Sequence, residues 1–222
     1  MQKNLFGYNT DASYDYENGF YITSPKKRIA KLTAHYELYK SITHLPGHIV
    51  ECGVYKGASL IRFASFRDML ELEDSRKIIG FDAFGSFPQQ AELDDKAFIQ
   101  EFEAAGGDGI DKQEMQAILE HKRISNTELV QGDITETVPN YAAAHPELRI
   151  ALLHIDVDVY QPSKVILEEL YDRIVPGGLL VLDDYGLVNG ETRAVDEYFK
   201  GQKLTIEKLP ISHVPSFIRK PL

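Results

Sequence analysis

A chain of 222 residues with 43% hydrophobic and 26% charged side chains is too apolar for a disordered segment and long enough for one α/β domain with additions. A net charge of −10 argues against a nucleic-acid partner, whose phosphates are bound by clustered Lys and Arg, and no apolar run approaches the roughly 20 residues that span a bilayer. The single cysteine, Cys52, excludes an internal disulfide and, with a start Met1-Gln2-Lys3-Asn4 unlike a signal peptide, points to a cytoplasmic protein without a membrane partner.

Residues 1–24, with Tyr8, Tyr14, Tyr16 and Tyr21 among Asn, Asp and Gly, predict an irregular arm or lid before a domain at 25–222. Helical spacing of Ile29, Leu32, His35-Tyr36 and Tyr39 predicts a helix from Pro25 to about Ser41. Its start, Lys26-Lys27-Arg28, is the one tight basic cluster and reads as a solvated helix end. A strand His48–Cys52, a helix Ala58–Leu72 and a strand Lys77–Phe81 follow, a βαβ order that predicts parallel pairing. Residues 92–123, with Asp94, Asp95 and Gly106-Gly107 between helical patches, read as a helical insertion able to cap a site. The remaining order is strand Glu128–Gln131, helix Thr135–Ala144, strand Arg149–Ile155, helix Pro162–Arg173, strand Gly178–Leu182 and helix Glu191–Lys200. The runs Lys203–Leu209 and Ser216–Arg219 suggest a closing hairpin. Together these predict a doubly wound, Rossmann-like, mostly parallel sheet with helices on both faces and an antiparallel edge.

The acids concentrate where such strands end. Asp156 and Asp158 follow the apolar run Ile150–Ile155, and Asp183-Asp184 follow Leu179–Leu182. Carboxylates gathered at buried strand tips repel one another and resist desolvation, so they call for proton sharing or a divalent, oxygen-loving cation. The first strand ends in Glu51-Cys52-Gly53-Val54-Tyr55-Lys56-Gly57-Ala58-Ser59, a glycine-bearing turn into a helix, whose unpaired amides suit a nucleotide-like ligand. Only Gly53 and Gly57 stand there, so the dinucleotide fingerprint is incomplete and a nicotinamide-dependent oxidoreductase is disfavoured. Asp82, at the tip of the second strand, is placed to accept from ribose hydroxyls. Asp133, after Gly132 at the tip of the third, suits either a ligand or the cap of the next helix. Cys52 reads as a small buried hydrophobe. His35, His44, His48, His121, His145 and His213 show no ligand spacing, and His154 reads as a packed histidine or a base.

Glu51-Cys52-Gly53-x-x-x-Gly57, Gly80-Phe81-Asp82-Ala83-Phe84-x-x-Phe87-Pro88, His154-Ile155-Asp156-Val157-Asp158-Val159-Tyr160, Pro176-Gly177-Gly178 and Asp183-Asp184-Tyr185 resemble the TylF/MycF (macrocin) O-methyltransferases, from about Arg28 to about Phe199. The resemblance implies a class I enzyme using S-adenosylmethionine and magnesium on a hydroxyl of a sugar or glycosylated metabolite, commonly as a homodimer or larger assembly. Carried onto this chain, it implies cofactor positions at Glu51, Gly53, Tyr55, Gly57, Ser59, Asp82, Gly132 and Asp133, and metal positions at Asp156, Asp183 and Asp184. Related catechol-type enzymes place a lysine soon after the strand-four acid. Here Val157, Asp158 and Val159 follow Asp156, so the proton is expected to pass to Asp156 or His154, with Asp158 beside the metal ligands or capping the helix at Pro162. A non-catalytic homologue that only binds the cofactor is the other alternative, disfavoured by the intact acids.

Overall fold

The computed structural model describes residues 3–86, 99–101 and 104–222. Two short strands, β1 (Asn4–Leu5) and β2 (Tyr8–Asn9), pair as a hairpin and lead into α1 (Ser13–Thr23). The expected irregular arm is therefore helical over much of its length. Its pattern hid this because α1 buries no residue and so shows no apolar stripe. The main body runs α2 (Lys26–Lys40), β3 (His48–Cys52), α3 (Ala58–Leu70), β4 (Ile78–Asp82), α4 (Lys112–His121), β5 (Thr127–Gln131), α5 (Ile134–Ala144), β6 (Ile150–Ile155), α6 (Tyr160–Leu170), β7 (Ile174–Leu182), α7 (Asn189–Tyr198), β8 (Glu207–Lys208) and β9 (Ser216–Arg219).

The large sheet has seven strands in the order β5-β4-β3-β6-β7-β9-β8. Pairing is parallel from β5 to β7, and β9 joins β7 antiparallel, as does β8 with β9. The predicted antiparallel edge is thus present. Strand β7 begins four residues before the expected Gly178, because Pro176 and Gly177 interrupt the apolar run without ending the strand. Every residue of β6 is buried, as a central parallel strand covered on both faces requires.

Strand alternation divides the core into two layers. Val50 and Cys52 of β3, Leu153 and Ile155 of β6, and Leu180 and Leu182 of β7 pack with α5, α6 and α7. Ile49, Leu152, Leu179 and Val181 face the other way, against α2, α3 and α4, with Leu38, Phe63 and Met115 among their neighbours. Of the insertion expected at 92–123, residues 92–98 and 102–103 lie outside the described residues; α4 is capped by Asp111 and packs Met115 and Leu119 into the second layer. Among the described residues no helix is long and apolar enough to cross a membrane.

The end of the sheet away from the acids is tied by a buried cation. Arg67 of α3 is fully buried and donates to the carbonyls of Arg76 at 3.3 Å, Asn126 at 3.0 Å and Ser125 at 2.8 Å, joining α3 to the chain entering β4 and β5. Arg67→Met would take the donor from Ser125 O, while Arg76 O keeps Asn126 Nδ2 and Asn126 O keeps Ile78 N, and should cost about 2 kcal/mol in denaturant unfolding. A loss under about 1 kcal/mol would contradict this role.

Candidate active site

The strand order turns about β3, whose neighbours β4 and β6 wind away in opposite senses, and the crevice at the carboxyl ends of β3 and β6 is where such sheets bind ligands. Of the predicted residues, Glu51, Gly53 and Asp156 lie at that crevice, Asp82 and Asp133 follow at the tips of β4 and β5, and Asp183 and Asp184 at that of β7. Gly53, at φ 94°, turns the chain out of β3, and Gly57, at φ 79°, precedes the first residue of α3. Their need for glycine comes from the chain itself. A Cβ at Gly53 would stand 1.8 Å from the Asp156 carbonyl oxygen, and one at Gly57 would meet Met115 Sδ at 2.7 Å. The turn out of β3 and the first acid after β6 are therefore in direct contact, reinforced by Asp156 N donating to Cys52 O at 2.9 Å.

Asp82 shapes the same turn. Its Oδ2 accepts from Val54 N at 2.7 Å and Tyr55 N at 2.9 Å, and its Oδ1 from Phe84 N at 2.6 Å. A carboxylate has about four acceptor positions, so capacity remains for a hydroxyl. Tyr55 is strained at φ 49°, and its hydroxyl donates to Gly106 O at 2.8 Å. Ser59 is buried in the first turn of α3, whose amides have no side-chain cap. Gly132 leads to Asp133, which caps α5 by accepting from Thr135 N at 2.8 Å, the second of its two expected roles.

A polar row crosses the second layer of the core where the apolar rows end. Glu51 pairs in register with His154, and His154 with Val181, so Asp183, two residues beyond Val181, shares their face. His154 Nδ1 lies 3.0 Å from Glu51 Oε1 and its Nε2 3.4 Å from Asp183 Oδ1. Burial alone would lower the imidazole pKa, but these two carboxylates overcome it and push it up to about 10. His154 is thus a cation held between two anions, without the free lone pair a base requires. Burial resists charge on Asp183 too, yet the hydrogen bond and charge of His154 hold it well below the usual carboxylate range.

Ligand oxygens of Asp156, Asp183 and Asp184 lie within 4.8 Å of one another. Burial and the charge of Asp183 raise the pKa of both Asp156 and Asp184. Asp158 is in left-handed backbone at φ 65°, hydrogen-bonds to Asp184, and is pushed up to about 8 by burial and that neighbour. It does not cap α6, whose N-cap is Val159 with no side-chain bond. A second group, His35, His154 and Asp183, is equally compact. It suits a metal less well, because ligation needs a neutral imidazole and His154 is held charged. The all-oxygen trio matches a hard divalent ion.

Three participants escaped the sequence reading. Lys31 and His35 of α2 reach Asp183, Lys31 by a hydrogen bond to Oδ2 and His35 with Nε2 at 3.7 Å from Oδ1. Burial opposes the Lys31 ammonium, but the charges of Asp183 and Asp156 keep its pKa above the ordinary value. His35, set aside for want of ligand spacing, is buried with neither ring nitrogen within 3.5 Å of a hydrogen-bond partner, and burial lowers it to about 4. Glu191, read only as a helix start, is buried; its Oε1 accepts from Asp184 N at 3.1 Å and its Oε2 has no partner. The signal for Lys31 was its place in the sequence Lys31, Ala34, His35, Leu38, Tyr39, a helical stripe otherwise buried. Glu191 had none.

The sequence profile of the macrocin O-methyltransferases (TylF) matches residues 13–220. The chain belongs to this family. Among curated relatives, 8-demethyl-8-(2,3-dimethoxy-alpha-L-rhamnosyl)-tetracenomycin-C 4'-O-methyltransferase of Streptomyces olivaceus is 27% identical over 64% of this chain and 54% of its own. Mycinamicin III 3''-O-methyltransferase of Micromonospora griseorubida is 24% identical over 69% of this chain and 61% of its own. The match therefore spans less than two thirds of these relatives. Apo CalS11, a TDP-rhamnose 3'-O-methyltransferase of calicheamicin biosynthesis, has a TM-score of 0.67 at 26% identity, covering 93% of this chain and 86% of its own. The O-methyltransferase NovP has a TM-score of 0.75 at 20% identity, covering 87% and 81%. The fold of this family member is that of the class I methyltransferases.

Glu51→Gln should lower the His154 pKa by at least about one unit, because one of its two anionic partners becomes neutral. Imidazole titration followed by NMR reads the shift; an unchanged midpoint would contradict the ion-paired histidine.

Proposed function

We propose that this chain transfers a methyl group from S-adenosylmethionine to a hydroxyl of a sugar or glycosylated metabolite, with Asp156, Asp183 and Asp184 holding a divalent cation, magnesium first among them. The observation that carries this reading is the contact between Gly53 and Asp156, which makes the cofactor turn and the acid trio one continuous surface. Relatives named for a rhamnosyl tetracenomycin and for TDP-rhamnose support a sugar acceptor.

The residues fit both groups. Glu51 Oε2 is buried without a partner at the end of β3, a ready acceptor for the ammonium of the cofactor's methionine end. The uncapped amides at the start of α3 suit its carboxylate, and Asp82 retains acceptor capacity for its ribose. When bound, the cofactor supplies an electrophilic methyl group and the cation lowers the pKa of an acceptor hydroxyl.

The chain's own groups do the rest. Asp156 is largely buried directly beside the turn and takes the acceptor proton in this reading. Asp158, with its carboxyl near 8 and hydrogen-bonded to Asp184, is the neighbouring group suited to hold a proton near neutral pH. His154, assigned earlier as an alternative base, instead fixes Glu51 and Asp183 to each other and so aligns cofactor and cation sites. The α1 arm, the cytoplasmic location and a homo-oligomeric assembly complete the reading.

Incubation with S-adenosylmethionine, magnesium and a panel of free and nucleotide-linked sugars should give acceptors one methyl group heavier by mass spectrometry. Asp183→Asn with Asp184→Asn should reduce that transfer at least about a hundredfold; unchanged turnover would remove the metal mechanism. Calorimetry should show binding of S-adenosylhomocysteine but not NAD, and the reverse preference would favour an oxidoreductase.

A further inference from the structure

The acids at the strand tips do not face one another unattended. Helix α2 crosses this end of the sheet, and Lys31 and His35, one turn apart, both approach Asp183. The Lys31 side chain is 19% exposed and that of Asp183 3%, so the pair lies just inside the mouth of the crevice. Lys31 Nζ bonds to Oδ2, while Oδ1 is turned to His154 and His35. Oδ2 is thus the Asp183 oxygen least committed to the core.

We infer that Lys31 is the resident counter-cation of the acid trio, occupying the charge position that a divalent cation must take and yielding Asp183 Oδ2 to it on binding. The inference rests on the reading of Asp156, Asp183 and Asp184 as the cation site. Without some positive partner, clustered part-buried carboxylates would oppose folding of the metal-free chain. A lysine suits exchange, since its ammonium is a point charge on a flexible stem, whereas an arginine fork would grip the carboxylate through two bonds. Lys31 therefore stabilises the metal-free chain at the expense of cation affinity.

Calorimetric titration of the cofactor-free protein with MgCl2 tests this. Lys31→Met should bind magnesium about tenfold more tightly than wild type. Lys31→Arg should bind no more tightly than wild type, and Lys27→Met, on the exposed start of the same helix, should stay within about twofold of it. Thermal unfolding gives a second readout: metal-free Lys31→Met should melt below wild type, and saturating magnesium should raise its melting temperature by more. Equal or weaker binding by Lys31→Met, or a melting temperature that magnesium leaves unmoved, would overturn the counter-cation role while wild-type binding left the metal site standing. If neither wild type nor Lys31→Met bound magnesium, the metal reading itself would fall and this inference with it.

Discussion

Charge balance at the carboxyl ends of β3, β6 and β7 governs how the elements around the site can pack. Glu51, Asp156, Asp158, Asp183, Asp184 and Glu191 converge on a region where Glu51, Asp183 and Glu191 are almost wholly removed from water. A carboxylate there is stable only beside a cation or with a shared proton. The fold answers in three ways: His154 is wedged between Glu51 and Asp183, Lys31 reaches in from α2, and Asp158 hydrogen-bonds to Asp184. Each answer comes from a different element, so the site couples α2, β3, β6 and β7.

That coupling gives the proposed chemistry its geometry. Glu51 offers an unpartnered Oε2 to the proposed cofactor and, through Oε1, is the anion that holds His154 charged. Asp183 receives the other end of the same imidazole and belongs to the oxygen trio. The proposed cofactor and cation positions are thus joined through one side chain, and the Gly53–Asp156 contact joins them again through backbone. A methyl donor and an activated hydroxyl need such fixed proximity more than they need a strong base.

Much of this was legible in the sequence because parallel strands announce themselves as apolar runs and their tips carry the acids. β3 falls on His48–Cys52 as expected, and β6 and the end of β7 deliver Asp156, Asp183 and Asp184 to one place. The glycines make the sharp turn that was expected of them, both in left-handed backbone, and at Gly53 the chain itself also excludes a side chain, because a Cβ would collide with the Asp156 carbonyl oxygen before any ligand enters. α1 was missed because an exposed helix leaves no periodic stripe. Lys31 lies on the buried stripe of α2, but its partner Asp183 is 152 residues away, so the stripe could not name the contact; Glu191 accepts from the Asp184 backbone amide seven residues before it, a bond to which a sequence gives no side-chain signal. Asp133 showed the opposite limit, since one sequence signal serves both a cap and a ligand.

The most direct test of the account is a crystal structure of the protein with S-adenosylhomocysteine and manganese, read by anomalous scattering at the manganese edge. The account predicts one strong anomalous peak bounded by Asp156, Asp183 and Asp184, with the cofactor product in the turn between Glu51 and Ser59. A peak confined to His35 and His154, or no peak at the acid trio at saturating manganese, would contradict it.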